Sequence, residues 1–169
     1  MRWIVTYLPK AIGFGLWLLI SPSPATGASP SIEAELDGML TDFHLAASNA
    51  NGDRYFSLFA PNAVFLGTSP EERWSLEDFK AYARPFFDVG RGWTYVATSR
   101  HIEVAPSGEI AWFDEILDNA KYGTCRGSGV LVKTDGEWKI AQYNLALLVP
   151  NEVALDVVEL IRGEAGVQE

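Results

Sequence analysis

Apolar residues recur at Leu36, Leu40, Phe43 and Ala47, the spacing of one helix face, and Ser31 stands ahead of them as a cap. The pattern predicts a helix from Ser31 to about Asn49. Asn51-Gly52-Asp53 ends it, and a short second helix follows from Arg54 to Phe59, closed by Pro61. Ala63-Val64-Phe65-Leu66 reads as a short strand ending at Gly67. Ser75, with Glu77 and Asp78 in the first turn, caps a third helix to about Phe87 whose apolar positions are Phe79, Tyr82, Ala83 and Phe86. Pro85 distorts its last turn. From Trp93 to Val104 the chain reads as a strand, and Pro106-Ser107-Gly108 turns it into another beginning at Ile110. Two further strands flank Asp135-Gly136, and Asn151 caps a last amphipathic helix (Ala154, Val157, Val158, Ile161) that Gly163 ends. Helices first and antiparallel strands after them make the fold class α+β.

Asp-Gly tolerates the positive φ angles of a tight hairpin turn. Centring one turn on Asp135-Gly136 opposes Val130 to Ala141, Ser128 to Tyr143 and Arg126 to Leu145. Centring another within Asn119-Ala120-Lys121-Tyr122 opposes Val130 to Ala111, Ser128 to Phe113 and Arg126 to Glu115. Cross-strand partners share a face. Ala111, Phe113, Glu115, Arg126, Ser128, Val130, Ala141, Tyr143 and Leu145 are therefore expected inside. Trp112, Ile116, Leu131, Ile140 and Leu148 are expected on an outer face, apolar enough to be covered, as in a homodimer.

The first residues add a destination. Arg2 and Lys10 precede an apolar run from Ala11 to Ile20, and small residues and prolines continue to Ala28, the layout of a secretory signal peptide. Cleavage is expected after Ala28, with Gly27 as the alternative and an uncleaved anchor as the competing reading. The run falls short of the roughly 20 residues a spanning helix needs. Taking 28 from 169 residues leaves 141, enough for one domain, and removes two basic residues, so the formal charge moves from −9 to −11. The expected setting is secreted or periplasmic, without a stable membrane anchor after cleavage. An acidic chain lacking a basic run is a poor nucleic-acid binder. Cys125, the single cysteine, reads as a small buried apolar residue. The two histidines, His44 and His101, lack ligand spacing, so neither a metal nor a cofactor is expected.

The element order, the segment Tyr55-Phe56-Ser57-Leu58-Phe59-Ala60-Pro61-Asn62-Ala63-Val64-Phe65 after Gly52-Asp53, and Asp135-Gly136-Glu137-Trp138-Lys139-Ile140 resemble the SnoaL-like branch of the nuclear-transport-factor-like superfamily. The resemblance covers about residues 32–150. It implies a conical barrel: a strongly curved antiparallel sheet around three helices, with a pocket at its wide end, often dimeric. Residues 29–169 then form one domain, with a C-terminal helix at about 151–163. Ketosteroid isomerase relatives use a tyrosine on the first helix, an aspartate ending the first strand and an acid on the strand before the Asp-Gly-type turn. Those places fall near Leu45 or His44, at about Gly67 and at about Ser128. The required acids are missing, so that chemistry is not expected.

The remaining chemistry lies on the predicted inner face. Glu115 and Arg126 are expected to form an opposed pair, either a polar anchor for a ligand or a cross-strand tie. A slip in either turn would bring Asp114 inward and let Arg100 compete as partner for either acid. His44, at the edge of the helix stripe, is a candidate general base or a hydrogen-bonded boundary residue. His44 and Glu115 are thus the candidate catalytic residues. Tyr55, Phe59, Trp74, Phe113, Arg126, Ser128 and Tyr143 are the candidate ligand-binding ones, with Thr68 and Arg73 beside Trp74 at the mouth. The expected partner is a small, largely apolar molecule with a polar or anionic group. The alternatives are an acid/base enzyme and a filled, non-catalytic interaction module.

Overall fold

The computed structural model describes residues 31–165; the expected export signal lies outside the described residues. Helix α1 (Ile32–Ser48) starts where the Ser31 hydroxyl accepts the Ala34 amide, and its predicted stripe of Leu36, Leu40, Phe43 and Ala47 is buried. Asn51 caps α2 (Gly52–Ser57) by taking the Arg54 amide, which starts that helix two residues early. Strand β1 (Phe59–Leu66) pairs with a short β2 (Arg73–Ser75), for which the polar loop held no periodic signal. Helix α3 (Leu76–Phe87) buries Leu76, Phe79, Ala83 and Phe87. Tyr82 and Phe86 stand outside that stripe and remain exposed. Four long strands follow: β3 (Val96–Val104), β4 (Ile110–Asn119), β5 (Gly123–Thr134) and β6 (Glu137–Leu147).

The strands form one curved six-stranded sheet in the order β2-β1-β6-β5-β4-β3. Neighbours from β3 to β6 are antiparallel, but β1 runs parallel to β6, so the sheet is mixed. Its inner face packs on the helices through an aromatic core in which Phe43 stacks on Tyr55 at 4.7 Å and Phe65 on Phe79 at 3.9 Å. After a single 3-10 turn at Asn151–Val153, α4 (Ala154–Ala165) runs past Gly163, where the sequence pattern ends it. Leu155 and Leu160 on α4 are 78% and 70% exposed. Among the described residues no helix is long and apolar enough to cross a membrane.

Two one-residue displacements correct the expected faces. Asp135 and Gly136 take φ of 53° and 83°, and Leu131 pairs with Ile140, as the centred turn implies. The register then shifts, Ala141 becomes the extra residue of a bulge, and Val130 pairs with Gln142. The β4–β5 turn closes one residue late: Asn119 pairs with Gly123, whose φ of 70° favours glycine. The Asn119 side chain accepts the amides of Lys121 and Tyr122 inside this turn. Arg126 therefore pairs with Ile116 and Ala146, and Ser128 with Asp114 and Asn144. Arg126, Ser128 and Val130 lie on the outer face, contrary to expectation, while Leu131 and Ile140 are core residues at 0% exposure. A one-residue slip inverts a strand. Cys125 is buried.

Candidate functional site

Strand pairing sets Arg100 of β3 directly opposite Glu115 of β4. Arg100 Nε donates to Glu115 Oε2 at 2.8 Å. His44 Nε2 lies 2.8 Å from Oε1, and the Tyr143 hydroxyl donates to the same oxygen at 3.0 Å. On its other side Glu115 pairs with Gly127, where a Cβ would strike both the Tyr143 hydroxyl and the carboxylate. Only glycine there gives the buried acid room to lie across the sheet. Helix α1 contributes Asp37, Thr41 and His44, spaced to share one side beside its apolar stripe. Arg100 Nη1 donates to the Asp37 carboxylate at 2.7 Å, to the Asp37 carbonyl at 3.1 Å and to the Thr41 hydroxyl at 3.2 Å. Arg100 Nη2 is buried and makes no hydrogen bond among the described residues.

Burial alone raises the Glu115 carboxyl, but the hydrogen bond and charge of His44, followed by the Arg100 guanidinium, outweigh it. The carboxyl consequently sits below the ordinary glutamate range. An ionised carboxylate only accepts, so His44 Nε2 carries the proton of that bond, and whenever the ring is neutral its lone pair is at Nδ1. Nδ1 has no partner among the described residues and is not among the sealed polar atoms. Burial and then the Glu115 charge push the Tyr143 hydroxyl well above its ordinary value, which keeps it a donor.

Three spaces meet at Tyr95. One of about 210 Å³ between α1 and β3 is lined by Thr41, His44, Ser48, Tyr95 and Arg100, among others. A second, of about 20 Å³, touches His44, Tyr55, Tyr95 and Tyr143 inside the cone, room for about one water. The third, of about 250 Å³, opens at the β1–β2 loop and is lined by Thr68, Glu72, Trp74, Trp93, Tyr95 and Tyr122, among others. Burial first, then the neighbouring Cys125, Tyr122 and Glu72, pushes the Tyr95 hydroxyl up to about 12.

The two candidate catalytic residues, His44 and Glu115, come together, and Tyr143 joins them. Tyr55 borders the inner space and Trp74 the mouth. Phe59 and Phe113 are core residues that line none of these three spaces, and Arg73 is exposed away from the mouth. Arg126 and Ser128 are outside, and Arg100 holds the place assigned to Arg126. Centring the β3–β4 turn on Ser107-Gly108 would have opposed Arg100 to Glu115. Tyr95 and Glu72 carried no comparable signal. His101 is exposed on β3, paired with Asp114. Among the described residues no three His, Cys, Asp or Glu side chains are grouped to hold a metal ion.

Comparisons with known proteins bear on the fold and the family. The profile of a SnoaL-like domain matches residues 37–150. A comparison with curated proteins finds no match. Among solved structures, an NTF2-like protein of unknown function from Pseudomonas putida KT2440 superposes with a TM-score of 0.60 at 12% identity, covering 72% of this chain and 89% of that one. A domain of unknown function with a cystatin-like fold from Nostoc punctiforme PCC 73102 gives 0.61 at 14% identity, covering 80% and 90%. A provisionally named scytalone dehydratase from Novosphingobium aromaticivorans DSM 12444 gives 0.54 at 16% identity, covering 68% and 82%.

Proposed function

The chain belongs to the SnoaL-like domain family, and from that premise we propose that it binds a small, largely apolar molecule bearing a carbonyl or carboxylate oxygen and moves a proton on it. The observation that carries this reading is His44, held through Nε2 by a buried carboxylate while its ring lines a cavity. In this reading His44 is the general base and acid. Glu115 fixes its tautomer and orientation, the job a carboxylate performs behind a catalytic imidazole. Arg100, whose side chain lines the same cavity, supplies positive charge beside the substrate oxygen as negative charge develops there. The likeness to a provisionally named dehydratase supports proton-transfer chemistry only as an analogy of fold.

Solvent-deuterium uptake tests it. A panel of cyclic ketones, aryl ketones and β-hydroxy ketones is incubated with the protein in D2O and followed by proton NMR for exchange next to the carbonyl or loss of water. His44→Gln should lower any exchange rate by about 10²–10⁴-fold, the usual share of a positioned acid/base group. Glu115→Gln should lower the rate with less effect on binding. Exchange untouched by His44→Gln, or absent with every ketone, would leave the dyad as a tie between α1 and the sheet. The cavity would then serve binding alone.

A further inference from the structure

We propose that the cavity at the mouth is a binding site for a small organic cation of the quaternary ammonium class. The space of about 250 Å³ is walled by Trp74, Tyr82, Trp93, Tyr95 and Tyr122, and the one charged side chain in its lining is Glu72. The face of an aromatic ring carries negative potential and draws a cation to within about 6 Å of its centroid, most strongly for Trp and Tyr. A carboxylate beside such rings supplies the counter-charge. This one is held in place: Oε2 accepts the Ser69 amide at 3.2 Å, and the side chain folds over Gly67, where a Cβ would collide with it. Trp74 and Tyr82 brace one another, stacked at 5.3 Å.

The rim already receives a cation. The Lys121 ammonium donates to the Tyr122 hydroxyl at 2.9 Å and lies 4.6 Å from the ring centroid, so it engages the hydroxyl end and leaves the face of the ring open. An anion finds no basic side chain in this lining. The formal charge of −9 favours the approach of cations over a longer range. The mouth shares only Tyr95 with the cavity that His44 and Arg100 line together, and Phe65, Trp93, Tyr95 and Leu145 with the small inner space that His44 also borders; holding a cation there involves no proton transfer.

Choline and its uncharged isostere 3,3-dimethylbutan-1-ol separate charge from shape. Titrated into the purified full chain with tryptophan fluorescence as the readout, choline should bind about tenfold tighter than the alcohol. Glu72→Gln should remove most of that preference. Tyr122→Leu, at an exposed turn position and so tolerated by the fold, should weaken choline about two- to fivefold and leave the alcohol unchanged. His44→Gln should leave choline binding unchanged, which separates this test from the proton-transfer one. Equal affinity for the two probes, a preference that survives Glu72→Gln, or no saturable choline binding overturns the proposal.

Discussion

Glutamine at position 115 would keep the side chain's volume and remove the charge that Arg100 and His44 are buried against. Three groups bond to this carboxylate, and the acid and the Arg100 side chain are 0% and 6% exposed. Breaking such a pair from one side costs about 3–5 kcal/mol, because the surviving charge is left uncompensated. Arg100 keeps its bonds to Asp37 and Thr41, which puts Glu115→Gln near the lower end, at about 3 kcal/mol. Arg100→Met should cost a similar amount. The two losses overlap, so the double variant should fall short of their sum by about 0.5–3 kcal/mol. Arg126→Met is the internal control: that side chain is on the outer face, and its loss should leave the midpoint unchanged within error. Urea unfolding followed by circular dichroism reads all four, provided the slope m stays constant across the series. A costly Arg126→Met, or strict additivity of the Glu115 and Arg100 changes, would refute the reasoning.

Two other outcomes are expected. Because the folded-state Glu115 carboxyl is held below its ordinary value, its stabilisation is complete above the unfolded value of about 4.3 and is lost as pH falls through the lower folded one; urea midpoints between neutral and acid pH should fall for the wild type and vary less for Glu115→Gln. Trp112 and Ile110 on the outer sheet face are 50% and 46% exposed, and α4 leaves Leu155 and Leu160 open, so two copies should associate to cover apolar surface; light scattering that gives a monomer mass at tens of micromolar would exclude it.

The parts of the fold legible in the sequence were those governed by local pattern. The α1 stripe and the Ser31 and Ser75 caps follow from spacing and hydroxyl placement, and the structure has them where expected. His44 and Glu115 were legible separately, one as a polar residue beside an apolar stripe, the other as an acid within an alternating strand. Arg100 was legible only as a competitor of Arg126 for the acid, because facing depends on an odd or even count through each turn. Gly123 lengthens one turn by a residue, and that was enough to exchange Arg126 for the outer face. Tyr143 is inside all the same, since the bulge at Ala141 reverses the face again farther along β6. Tyr95 lies in an irregular segment ahead of β3, where no periodicity marks a side chain's direction.

The bulge also separates two properties that a strand ordinarily couples. Leu131 pairs with Ile140 before it and Val130 with Gln142 after it, so Ala141 can be present or absent without moving any neighbour to the wrong side. What one extra residue does change is local twist and bend. Deleting position 141 would keep the core's cast of side chains and relax the sheet's curvature around α1. The depth of the cone is therefore adjustable by a single-residue insertion or deletion, and a lineage can reshape the interior without rewriting the residues that fill it.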